Sequence, residues 1–304
     1  MGAKPDTPTA GVIGLGDIGR GVAGALAQAG IGLTVCDVRA EATEPFAQSA
    51  RIAADPADLA ATADVILVAV VNDAQVRTVV DGDGGALAAA KPGSTIVVLS
   101  TVSPDTVRAV AESAAARDVD VLDCGVSGGP AAAAQGALVS MLGGDEDVID
   151  RVRPVLQGFS SLVVRMGPLG AGLQAKLARN LVQYASWLAA YEAQTLAEAA
   201  GVDLLELAEV IRASDQWIGG SSRLMFRQSV APFGPQDHPD IVGAMRNGAG
   251  LAHKDLQAVV ALGDRLGVAL PLAAMTEARI DAVFGLAPDP MGGASTATST
   301  GGEP

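Results

Sequence analysis

Residues 10–37 read AGVIGLGDIGRGVAGALAQAGIGLTVCD. An apolar run at 11–14 ends in glycines and feeds an Ala-rich helical stretch that lasts to about Gly30. A second apolar run, 33–36, stops at Asp37. Strand, glycine turn, helix and strand in this order open a parallel sheet. The turn, Gly14-Leu15-Gly16-Asp17-Ile18-Gly19, has the GxGxxG spacing. Gly14 permits a tight turn, Gly16 lets the main chain approach a pyrophosphate, and Gly19 brings helix and strand close together. The helix N-terminus adds the positive end of its dipole. Asp37, at the end of the next strand, stands where a carboxylate accepts hydrogen bonds from the adenosine ribose. A dinucleotide-binding fold follows. A carboxylate at 37 repels a 2′-phosphate, so NAD is expected, while Arg39 two residues on can reach that phosphate and admit NADP.

Outward from this unit the rhythm persists. Residues 64–71 (DVILVAVV), 94–100 (STIVVLS), 119–123, 138–142 and 162–165 read as strands, with helical segments such as 145–157 between most of them. Ser103-Pro104-Asp105 reads as a helix start. Short all-apolar strands alternating with helices indicate a mostly parallel sheet covered on both faces. After Gly167 the strand signal ceases. A long helical pattern runs from 170 to about 200, and others lie near 204–213, 251–266 and 272–284. The predicted organisation is a leader at 1–9, a Rossmann domain at 10–167, an all-helical domain at 168–287 and a tail at 288–304. Leader and tail are expected to be disordered, the tail because it is rich in Pro, Gly, Ser and Thr.

Composition excludes several classes of function. The 304 residues include 34 acidic and 20 basic side chains, a net charge of −14, and aromatics are only 3%. Such a chain repels phosphate backbones and lacks base-stacking platforms, so nucleic acid is not an expected partner. Cys36 and Cys124 form no disulfide framework, and no metal-ligand spacing surrounds them. No secretion signal opens the chain. The longest uncharged stretch, 124–144, is broken at Gly128-Gly129-Pro130 and is no membrane span. A cytoplasmic protein is expected.

Two further constellations carry chemistry. Asp123-Cys124-Gly125-Val126-Ser127-Gly128-Gly129-Pro130 follows a strand. A serine before two glycines presents a hydroxyl and open N–H groups to a small carboxylate; read alone, it serves equally as a flexible connector. Gly170-Ala171-Gly172 precedes Lys176 and Asn180, whose i, i+4 spacing places them on one helix face. Apolar neighbours would desolvate Lys176 and lower its pKa toward acid–base values. Spacing alone favours an ordinary solvated lysine.

Together, in this order, these patterns resemble the β-hydroxyacid dehydrogenase family, which includes 3-hydroxyisobutyrate dehydrogenases and short relatives of 6-phosphogluconate dehydrogenase. GLGDIG resembles its cofactor loop, DCGVSGGPAAAAQGALVSMLGG its substrate loop and GAGLQAKLARN its catalytic helix. Leu99-Ser100-Thr101-Val102-Ser103-Pro104 and His253-Lys254-Asp255-Leu256 match two further segments. The resemblance implies that Lys176 is the general acid/base and that Ser127, Gly128, Gly129 and Asn180 hold the substrate. It further implies that Val70, Val71 and Thr101 line the nicotinamide and that Lys254 lies close to cofactor and substrate. A small 3-hydroxy acid or its semialdehyde is the implied substrate, and a homodimer or homotetramer the implied assembly.

Gly125 replaces a frequent proline and is expected to loosen that loop. Arg179 stands where Asn or His is usual and, facing the pocket, would admit a second anionic group. Imine reductases share the architecture but usually lack a lysine at position 176. A non-catalytic dinucleotide sensor would have no need of one.

Overall fold

The computed structural model describes residues 8–290, apart from 222, 225, 228 and 229. The leader and tail expected from composition fall outside the described residues at 1–7 and 291–304. Thr9 belongs to the fold: its N–H and hydroxyl both donate to Asp64. So does Asp289, which pairs with Arg279.

The chain alternates β1 (Ala10–Ile13), α1 (Asp17–Gln28), β2 (Leu33–Cys36), α2 (Ala40–Thr43), β3 (Arg51–Ile52), α3 (Pro56–Ala60), β4 (Val65–Val68), α4 (Asp73–Asp81), β5 (Thr95–Val98) and α5 (Pro104–Ala115). It continues through β6 (Asp120–Ser127), α6 (Gly129–Ala134), β7 (Leu138–Gly143), α7 (Glu146–Gln157) and β8 (Ser160–Gly167). Four helices complete it: α8 (Ala171–Ala199), α9 (Leu204–Ile218), α10 (Pro239–Leu266) and α11 (Pro271–Val283). The eight strands form one sheet in the order β3-β2-β1-β4-β5-β6-β7-β8. All pairings are parallel except β6 with β7. The fold is therefore an α/β Rossmann domain followed by a helical region. Among the described residues no helix is long and apolar enough to cross a membrane.

The sheet forms because its central strands are apolar on both faces. Val12, Leu67, Val97 and Leu122 bury into one core with Val22 and Leu26 of α1 and Ile149 of α7. Ile13, Ile66, Val68 and Ile96 bury into the other with Leu59 of α3, Val76 of α4 and Val107 of α5. Each such side chain stabilises by about 1.5–3 kcal/mol. Strand β6 runs four residues beyond the predicted 119–123. Its far half pairs antiparallel with β7, Ser127 opposite Val139, and that pairing lies outside its own sequence. Two-residue β3 carries no apolar signal to read.

The chain divides into two compact units between Asn180 and Leu181. The first extends past the boundary drawn at 167 because the opening turns of α8 are bonded to β6. In the second unit, α10 begins at Pro239, twelve residues before the predicted start at 251. Glycines at 243, 248 and 250 weaken the helical reading there. Gly248 has a packing reason, since a Cβ on it would meet the Phe284 ring at 2.6 Å. Gly267, left-handed at φ 69°, ends α10. Helix α11 is capped from outside: Glu192, buried on α8, accepts from the N–H groups of Leu272 at 2.8 Å and Ala273 at 3.1 Å.

Candidate active site

Strand β1 delivers the chain to the glycine turn at the point where winding reverses, with β2 and β3 on one side and β4 onward on the other. Such points open a crevice at the carboxyl ends of the strands. Gly14 has φ 90°, and a Cβ on it would meet the Ala69 carbonyl oxygen at 2.6 Å; one on Gly19 would collide with the Gly14 carbonyl. Gly16 differs, for a Cβ there meets nothing within 4 Å. Helices α3, α4, α5 and α7 are capped by the side chains of Asp55, Asn72, Ser103 and Asp145. Helix α1 has Gly16 and no side-chain cap. Its orphan N–H groups and the clear approach beside Gly16 fit a pyrophosphate. Asp17 is exposed on this turn, whereas Leu15 and Ile18 send their side chains into the core and offer a ligand main chain only.

Asp37 closes the far side of the turn. Its carboxylate accepts from the Leu15 N–H at 2.7 Å and from the Arg39 N–H at 2.9 Å, and it pairs with the Arg39 guanidinium at 3.1 Å. Burial pushes its pKa up, but the Arg39 and Leu15 hydrogen bonds outweigh that and hold it below the usual carboxylate value. Asp37 is thus anionic at neutral pH, with Arg39 already against it.

Past β4 and β5 the chain is stitched together. The Val70 N–H donates to Ser100 Oγ at 2.9 Å, and the Val71 N–H to Gln75 Oε1 at 2.8 Å. Asp73 accepts from the Ser103 N–H and the Thr106 hydroxyl. Val70 is half-buried, while Val71 and Thr101 are exposed at the ends of neighbouring strands. Ser100, given no part by the sequence reading beyond its motif, ties these two ends together.

Lys176 lies on α8 against β6. Its Nζ donates to the Val126 carbonyl, one residue before Ser127. Burial first, and the nearby Arg179 charge second, lower its pKa from the ordinary lysine value. Asn180 is one turn further along α8 and half-buried; Arg179 is exposed. Ser127 ends β6, and Gly128 and Gly129 follow with φ 124° and 70°, so both positions require glycine. Gly129 has open space where a side chain would stand.

Two expectations are corrected here. Gly125 does not loosen a loop: it is a buried strand residue paired with Met141. Its missing side chain is the space Lys176 uses, since a Cβ on Gly125 would meet Lys176 Cβ at 2.6 Å and the Gly172 carbonyl at 2.7 Å. Residues 124–127, read as following the strand, are the strand. Sequence reasoning also quoted Asp123 without giving it a part, although a carboxylate ending an apolar strand was the available signal. Asp123 is fully buried and accepts from the N–H groups of Gly170 at 2.6 Å and Leu173 at 2.7 Å.

The glycine turn, Asp37, Val70, Val71, Thr101, Ser127, Gly128, Gly129, Lys176 and Asn180 all belong to the first unit. Lys254 belongs to the second, exposed on α10 and paired with Asp255 at 3.3 Å. Both cysteines are free and buried, and burial pushes Cys36 up to about 11 and Cys124 up to about 12.

Residues 9–167 match the family described as the NAD binding domain of 6-phosphogluconate dehydrogenase. Residues 170–288 match that described as NAD-binding of NADP-dependent 3-hydroxyisobutyrate dehydrogenase. The chain is 41% identical over 286 residues to an uncharacterised oxidoreductase of Mycobacterium tuberculosis, covering 94% of this chain and 96% of that protein. It is 37% identical over 212 residues to an L-threonate dehydrogenase of Cupriavidus necator, covering 68% and 71%. The crystal structure of an oxidoreductase from Mycobacterium avium aligns with a TM-score of 0.86 at 39% identity, over 92% of this chain and 99% of that one. The chain belongs to the 3-hydroxyisobutyrate dehydrogenase-like family of NAD(P)-dependent hydroxyacid dehydrogenases. It is an oxidoreductase, and NAD(P) is its cofactor.

Proposed function

We propose that the enzyme interconverts a small 3-hydroxy acid and its semialdehyde, with Lys176 as general acid/base. One observation carries this: the lysine amine is drawn to the Val126 carbonyl beside Ser127, half-buried and with its pKa lowered. The bound nicotinamide supplies the hydride acceptor or donor. In the oxidation direction neutral Lys176 accepts the hydroxyl proton, and in reduction its ammonium form returns one. Ser127 and the open main chain at Gly128 and Gly129 hold the carboxylate, and Asn180, on the Lys176 face of α8, holds the hydroxyl. Fixing both groups supplies orientation, a large part of such catalysis. Val70, Val71 and Thr101 border the nicotinamide. The L-threonate dehydrogenase relative acts on a hydroxy acid, which supports this substrate class.

The test is Lys176→Ala, assayed by NADH release over a panel of 3-hydroxy acids including 3-hydroxyisobutyrate, glycerate and L-serine. A fall in kcat of at least about 10²-fold is expected, with NADH affinity, read by fluorescence, unchanged. Wild-type turnover in the variant sinks the proposal.

NAD is the preferred dinucleotide in this reading, because the anionic Asp37 faces the ribose end. The expected outcome is a KM for NAD⁺ below that for NADP⁺, with Arg39→Ala raising the NADP⁺ value further. A lower KM for NADP⁺ would show that Arg39 overrides Asp37.

The enzyme is read as a cytoplasmic homodimer or homotetramer. Large apolar side chains left exposed on α8 and α9, among them Tyr184, Trp187, Tyr191 and Trp217, support assembly, since monomers rarely expose such surface.

A further inference from the structure

We infer that Asp123 is the positioning residue for Lys176: its buried carboxylate grips the start of α8 and fixes how far along β6 the lysine is presented. The inference rests on the general acid/base reading of Lys176.

A helix begins with N–H groups that need acceptors, and these usually come from the residue just before it. At α8 that residue is Gly170, which has no side chain. The acceptor comes instead from Asp123, 47 residues earlier on β6, and it binds both ends of the opening turn, the Gly170 and Leu173 N–H groups. Leu173 is one turn before Lys176. The carboxylate is charge-complementary to the helix N-terminus and is sealed from solvent.

Three glycines make the grip tight. A Cβ on Gly143 of β7 would collide with Asp123 Oδ1, and one on Gly172 would collide with the Met141 carbonyl and approach Asp123 Oδ2 at 2.9 Å. Gly125 admits Lys176 Cβ and the Gly172 carbonyl. Sheet and helix thus meet main chain to main chain, so any shift of the opening turn travels along the helix to Lys176. Misplacement by about 1 Å is enough to cost on the order of 10²-fold in rate.

Asn at 123 keeps the size but replaces one acceptor oxygen with an NH₂ donor, so Gly170 or Leu173 faces a donor. The helix start retreats, and Lys176 leaves the Val126 carbonyl for water. Gly172→Ala displaces the same turn with the carboxylate intact, and it carries the test should Asp123→Asn fail to fold. Lys176 in the cofactor-free protein is titrated by its rate of modification with trinitrobenzenesulfonate, read by peptide mass spectrometry. The expected result in either folded variant is a pH of half-maximal modification shifted upward toward that of an ordinary lysine, with NADH affinity retained. A purely structural role lowers Tm and leaves that pH where the wild type has it, which overturns the inference. Lys176→Ala run in parallel separates the two readings. If it is inactive while Asp123→Asn and Gly172→Ala titrate as wild type, only the inference falls. If it turns over normally, the reading of Lys176 falls first.

Discussion

The two compact units bury their apolar residues very differently. In the first, every residue of β1, β2, β4 and β5 is buried, and helices cover both faces of the sheet. In the second, Trp217 is 87% exposed, Leu205 81% and Tyr191 66%, and α9 has no buried residue. The first is held by the apolar side chains of its central strands, covered on both faces of the sheet. The second relies more on discrete polar ties, Glu192 to the start of α11 and His253 between α10 and α11. The site follows the same division, since all of its candidate residues but Lys254 stand on the closed unit, where positions are set by main-chain packing.

The largest effect that tests this contrast is expected from Leu67→Ala, which empties a fully buried position in β4. It should cost about 2–5 kcal/mol in urea unfolding. Trp217→Ser should change folding stability by no more than about 0.5 kcal/mol while lowering the native mass read by light scattering. A large stability loss from the Trp217 variant would show that α9 is covered within the chain, and the contrast would break.

A smaller, pH-dependent effect should come from His253. Its Nδ1 faces Glu277 at 3.2 Å and its Nε2 faces Asp281 at 3.3 Å. The Glu277 hydrogen bond first, then Asp281, raise its pKa above 6.5 against some desolvation. The protonated imidazole therefore ties α10 to α11 fully below pH 6.5, and the tie is lost as pH rises through the raised value. Tm should fall over that window in the wild type, and His253→Gln should flatten the fall. An unchanged pH profile in the variant would show that this tie does not hold the helices.

The sequence made much of this legible for local reasons. Strands within 33–36, 64–71 and 94–100 announce themselves by their apolar runs, and the helix start at Ser103 by the proline that follows it. The glycine turn is visible because Gly14, Gly16 and Gly19 fall within six residues, at the first and last of which a side chain would collide. Helical spacing likewise placed Lys176 and Asn180 on one face of α8. What spacing left open was whether that face met protein or water. Gly125 was misread for a related reason: as sequence it is a flexible residue, while in the sheet it is a vacancy that Lys176 fills.

Sequence by itself therefore determined the alternation of strands and helices, the dinucleotide turn, the Asp37 carboxylate and the residue types available for proton transfer. These depend on dihedral preference and side-chain spacing within a few residues. Tertiary structure alone decided that β6 runs on to Ser127 beside β7, that Asp123 caps a helix 47 residues later, and that the Lys176 amine reaches the Val126 carbonyl 50 residues back. Those contacts join segments far apart in the chain, and no local preference encodes them until the sheet has formed.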